Sequence, residues 1–106
     1  MLYHVVLLKL KPGASAAEVA RARDAVVGLR DKIPGIRSID WGPNTSPEGL
    51  GQGHELGVVV VFQDAAARDA YLPHPAHQAI VPSIQAVAET VLVFDVEGGL
   101  AETGSR

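Results

Sequence analysis

The stretch "LYHVVLLKL" (residues 2–10) decides the fold. It is rich in branched residues and stops at Lys11-Pro12-Gly13, which reads as a strand ending in a turn. Successive side chains of a strand point to opposite faces. His4, Val6, Leu8 and Leu10 therefore share one face, and Tyr3, Val5 and Leu7 share the other. Both faces are apolar. "VVVVF" (58–62) and "VLVF" (91–94) are built the same way. A sheet with one wet face alternates apolar with polar residues, so these strands belong to a sheet covered on both sides.

The segments around them supply one cover. "SAAEVARARDAVVGLRDKI" (15–33) reads as a helix with Ser15 and Glu18 as a capping box. Val19, Ala22, Val26, Leu29 and Ile33 form its apolar stripe, and Pro34-Gly35 ends it. "IRSIDWG" (36–42) is a short second strand. "PNTSPEGLGQG" (43–53) is a loop and "HELGVVVVF" (54–62) contains the third strand. Asp64 caps a short helix over 65–72, Pro73 and Pro75 interrupt it, and a further helix runs over 76–89 with Pro82 as a kink or boundary. "TVLVFDV" (90–96) is the fourth strand.

This order predicts an α+β fold: a ferredoxin-like βαββαβ sandwich with a four-stranded antiparallel sheet. The domain is expected over 1–97, with a flexible tail over 98–106. Two helical elements cover one sheet face only. The simplest cover for the other is the same face of a second copy, which predicts a homodimer through the sheet faces, a dimeric α/β barrel.

Composition narrows the function. The net charge of −3 argues against a nucleic-acid partner, which needs a basic face. There is no cysteine, hence no disulfide framework and no thiolate site. The N-terminus lacks the pattern of a secretory signal, and no apolar run approaches a bilayer span. A cytoplasmic location without membrane association is the expectation. The glycines of "EGLGQGHE" (48–55) lie between two strands and read as a flexible lid over the barrel end, not as a phosphate cradle. The Arg21, Arg23, Asp24, Arg30, Asp31 and Lys32 run reads as a solvated helix face.

A family resemblance rests on particular residues. These are the histidine heading "YHVVLLKLK", "IPGI" (33–36), "WGPNTS" (41–46), "VVVVFQDAAARDAYLPHPAH" (58–77) and "VLVFDVEG" (91–98). With this pattern the chain resembles the Dabb, or stress-responsive dimeric α/β-barrel, family over residues 2–97. The signature F-x-D…Y-x-x-H-P-x-H is its most specific part. The resemblance implies a ferredoxin-like protomer whose sheet packs on its partner's. Some members are stress-induced oligomeric proteins and a few are polyketide cyclases. In one plant cyclase of the family the tyrosine and second histidine of the signature do the catalysis, and the resemblance implies those roles for Tyr71 and His77 here. Where the family's plant cyclase carries pocket aromatics, this chain has Ala22, Arg23 and Val26, so a smaller, differently shaped or more open cavity follows.

Helical spacing bears on the same two residues. Ile80, Ile84 and Val87 put His77 at the head of an apolar stripe, and Ala67, Ala70 and Tyr71 turn Tyr71 inward. His74, between two prolines, shapes the turn. The cavity lining is expected from His4, Val6 and Leu8 on the first strand, Val26 on the first helix and Ile80 on the last. A neutral imidazole can take a proton from carbon beside a carbonyl, and a phenol can hydrogen-bond the oxyanion that develops. That is aldol cyclase or lyase chemistry on a small carbonyl compound, with His77 as general base. It needs no cofactor, and no metal site is expected, since His74 and His77 lack further ligands. The competing reading is a non-enzymatic stress-associated oligomer with a structural Tyr71–His77 pair.

Overall fold

A computed structural model describes residues 1–98. The chain runs β1 (Leu2–Leu10), α1 (Ala16–Val27), a 3-10 turn (Gly28–Asp31), β2 (Ile36–Pro43), β3 (Leu56–Phe62), α2 (Ala65–Tyr71), α3 (Pro75–Val87) and β4 (Ala88–Glu97). The strands form one sheet in the order β2-β3-β1-β4, with every neighbouring pair antiparallel. This is the ferredoxin-like α+β architecture. The expected tail over 98–106 lies outside the described residues from 99 onward. Gly98 itself closes the sheet, its amide donating to the Met1 carbonyl at 2.8 Å.

The capping box fixes the start of α1. The Ser15 hydroxyl accepts from the Glu18 amide at 3.1 Å, and the Glu18 carboxylate accepts from the Ser15 amide at 3.1 Å. The helix is shorter than its apolar stripe suggests. It tightens into the 3-10 turn at Gly28, which still delivers Leu29 and Ile33 to the core. Gly35 then turns the chain with φ at +90°, and a Cβ there would meet the Ala67 Cβ at 2.7 Å. Glycine serves both the left-handed backbone and the close approach of α2.

Pro82 does not end α3, and β4 begins at Ala88, two residues earlier than the sequence suggests. Proline lacks an amide to donate to the preceding turn. Pro82 lies on the exposed side of the helix, where water can satisfy the carbonyl so freed.

Register assigns the sheet's faces. His4 is opposite Val60 and Asp95, Val6 opposite Val58 and Val93, and Leu8 opposite Leu56 and Val91. This face lies under the helices. Its core of Leu2, Val58, Val60 and Phe62 packs against Val26, Leu29, Ile33 and Tyr71. The other face carries Tyr3, Val5, Leu7, Val59, Val61, Leu92, Phe94 and Val96, with no helix of the described residues over it; Phe94 is 63% exposed. The loop before β3 lies beside Leu7 and Leu92 on this open side, not over the helix-side cavity. Hydrogen bonds tie it down: Asn44 Oδ1 accepts from the Ser46 amide at 2.9 Å, and the Gly51 carbonyl accepts from the His54 amide at 3.0 Å.

Phe62 is fully buried at the centre of the core. Phe62→Ala is expected to destabilise the fold by about 3–5 kcal/mol, read as a lowered denaturation midpoint at unchanged slope.

Candidate active site

The break between α2 and α3 builds the site. α2 ends at Tyr71, and α3 restarts four residues later with Pro75 at its first position and His74 as its cap. His74 Nδ1 accepts from the Ala76 amide at 3.0 Å, so this histidine belongs to the turn. Carbonyls at a helix end lack intrahelical partners. Here the Leu72 carbonyl accepts from His77 Nδ1 at 2.9 Å and from Gln78 Nε2 at 2.8 Å. A carbonyl cannot donate, so the His77 proton sits on Nδ1 and Nε2 keeps its lone pair. The helix break thus orients the base.

Tyr71 reaches inward from the last turn of α2 and is only 3% exposed. Its ring stands 4.3 Å from the His77 ring, 4.9 Å from Phe62 and 5.9 Å from His4, centroid to centroid. No fully buried side-chain nitrogen or oxygen among the described residues lacks a partner. The Tyr71 hydroxyl and the Nε2 atoms of His4 and His77 make no protein hydrogen bond among those residues, so each is accessible rather than sealed in. Burial pushes the Tyr71 phenol up to about 12, which keeps it a donor at neutral pH.

These groups border a cavity of about 300 Å³ between the sheet and the helices. His4, Val6, Val26 and Ile80 line it together with Tyr71 and His77. Leu8 does not: it is 0% exposed, packed beneath the helices, and its assignment to the lining is corrected. Ala70, expected to turn inward with Tyr71, is exposed; α2 presents Ala65, Ala67 and Tyr71 to the core. Val91 and Val93 also line the cavity yet stay about half exposed, so the mouth lies along β4. Among the described residues, no lysine, arginine or carboxylate lines it.

Two residues of the site escaped the sequence reading. His4 Nδ1 donates to Asp95 Oδ1 at 2.7 Å, and Arg68 Nη1 donates to Asp95 Oδ2 at 2.8 Å. Burial acts to raise the Asp95 pKa, but the hydrogen bonds from Arg68 and His4 outweigh it and hold the carboxyl below its ordinary value. The available signal was the lone acid in the apolar run "TVLVFDV" (90–96), placed by alternation on the same face as Val91 and Val93.

A domain of this architecture, with a histidine and a tyrosine converging on a helix-side cavity, defines a class. The model of the Stress Responsive A/B Barrel Domain (Dabb) matches residues 2–98, and the chain belongs to that family. Olivetolic acid cyclase from Cannabis sativa is 26% identical over 92 residues, 87% of this chain and 91% of that protein. A solved structure from Arabidopsis thaliana superposes with a TM-score of 0.87 at 26% identity, covering 93% of this chain and 96% of that one. A dimeric ferredoxin-like protein of unknown function from Jannaschia sp. CCS1 is 31% identical with a TM-score of 0.81, covering 92% and 98%.

The pKa shifts fix two pH windows. Tyr71 is raised from 10.0 to about 12, so the stability it contributes is present below pH 10 and is lost as pH rises through about 12. Asp95 is depressed, so its contribution is present above its ordinary value of 3.8 and is lost as pH falls. Denaturation midpoints against pH are expected to lose the alkaline fall in Tyr71→Phe and to show a shallower acid fall in Asp95→Asn.

Proposed function

We propose that each protomer binds a small, neutral carbonyl compound in the helix-side cavity and cyclises it by an aldol step. The single observation that carries this reading is the convergence on one apolar cavity of a phenol and an imidazole nitrogen that make no hydrogen bond among the described residues. His77 Nε2 takes a proton from carbon between two carbonyls. The carbanion attacks a second carbonyl of the same molecule, and the Tyr71 hydroxyl donates to the oxyanion that forms. The apolar lining, which holds no lysine, arginine or carboxylate among the described residues, favours an uncharged poly-β-ketone over a carboxylate or phosphate. The similarity to olivetolic acid cyclase supports the same reading.

The proposal includes a homodimer through the open sheet face. Tyr3, Val5, Leu7, Val59, Val61, Leu92, Phe94 and Val96 form a larger continuous apolar surface than monomers ordinarily expose. The dimeric Jannaschia relative supports it. A second reading, a structural Tyr71–His77 pair in a non-enzymatic oligomer, is favoured by the His77–Leu72 bond, which caps a helix end.

Turnover of poly-β-ketones separates the two. His77→Ala is expected to lower it by about 10²–10⁴-fold; unchanged turnover of every accepted substrate, with only a lower melting temperature, establishes the structural reading. Light scattering at micromolar concentration is expected to give a dimer for the native chain and a monomer for Phe94→Lys. A monomeric native chain removes the dimer.

A further inference from the structure

A second cavity lies apart from the helix-side site. It has a volume of about 330 Å³ and stands on the open face of the sheet, between the 44–55 loop and the strands. Leu7 and Leu92 form its floor, Leu50 belongs to its wall, and Asn44, Gln52 and His54 bring polar groups to it. The loop is held in shape by its own hydrogen bonds. The Gly51 carbonyl accepts from the His54 amide at 3.0 Å and from His54 Nδ1 at 2.9 Å. The Asn44 amide donates to the Glu55 carbonyl at 2.9 Å, and Asn44 Nδ2 donates to the His54 carbonyl at 3.4 Å. Gln52 takes a left-handed backbone with φ at +56°, the one non-glycine residue to do so among those described. Such a conformation persists only where its surroundings hold it, so the pocket wall is formed in advance of any ligand.

A carbonyl cannot donate, so His54 carries a proton on Nδ1 and its neutral ring presents Nε2 as an acceptor. Nε2 makes no hydrogen bond among the described residues. Among those residues, no lysine, arginine or carboxylate lines the pocket. Leu50 is 68% exposed and has apolar surface left to bury. An apolar floor with one strong acceptor and no fixed charge suits a small neutral molecule that has a flat apolar body and one hydroxyl donor. We propose that this pocket is a second ligand site, which binds small phenols: the phenol hydroxyl donates to His54 Nε2, and the ring lies between Leu50 and the Leu7–Leu92 floor. The site is independent of the aldol reading, because the two cavities share no lining residue. Leu7 and Leu92 also belong to the face assigned to a second copy, so the ligand lies at the loop end of that association surface.

p-Cresol and its methyl ether carry the same ring and differ in the hydroxyl proton. Long-range proton–nitrogen spectra of the histidine rings, titrated with each compound, read the site directly. p-Cresol is expected to move the His54 Nε2 resonance saturably and to bind about fivefold more tightly than its methyl ether, the worth of one net hydrogen bond. His54→Leu is expected to abolish that preference, measured by calorimetry. Equal binding of the two compounds, or a preference that survives in His54→Leu, overturns the inference. A shift at His77 with none at His54 places the ligand in the helix-side cavity and overturns it too. Phe94→Lys, expected to be monomeric, is titrated alongside. A His54 shift in that variant and not in the native protein means that a second copy fills the pocket, which overturns the inference and leaves the dimer standing. No His54 shift in either protein at millimolar p-cresol overturns it outright.

Discussion

The helices of this domain leave part of their side of the sheet uncovered. α1 packs against α3 and β2, α3 reaches β4 at the sheet edge, and α2 lies against β1 and β3. Val91 and Val93 point to the helix side and still stay about half exposed. The uncovered strip becomes the mouth of the cavity. The same shortage of helix leaves the opposite face bare from Tyr3 to Val96. Binding site and association surface thus come from one geometric mismatch, because apolar surface left by incomplete coverage is what ligands and partners bury.

Within the cavity, the helix break does the work of orientation. A continuous helix from Ala65 to Val87 would satisfy the Leu72 carbonyl with a backbone amide. The prolines at 73 and 75 prevent that, and the carbonyl takes the His77 side chain instead. The imidazole is held at one nitrogen and free at the other. Tyr71, on the far side of the break, is wedged between Phe62 and His77 and keeps its proton through burial. On the sheet side, the acid that backs His4 comes from β4 and the cation that holds that acid comes from α2. Three elements distant in sequence therefore share one short hydrogen-bonded chain.

Local residues declare themselves in the sequence. The Ser15–Glu18 box, the Pro34-Gly35 stop, the His74–Pro75 restart and the double-sided strands each need only a few neighbours to be read, since capping, turn chemistry and alternation act over one to four residues. They determine the order of elements, the α+β class, and the inward direction of Tyr71 and His77. The tertiary structure decided what alternation and spacing leave open. It placed Leu8 under the core and not on the cavity, laid the 44–55 loop on the sheet's other side, and carried Asp95 and Arg68 to His4. Those outcomes depend on register and on how far the helices reach across the sheet, which are set by packing between segments tens of residues apart.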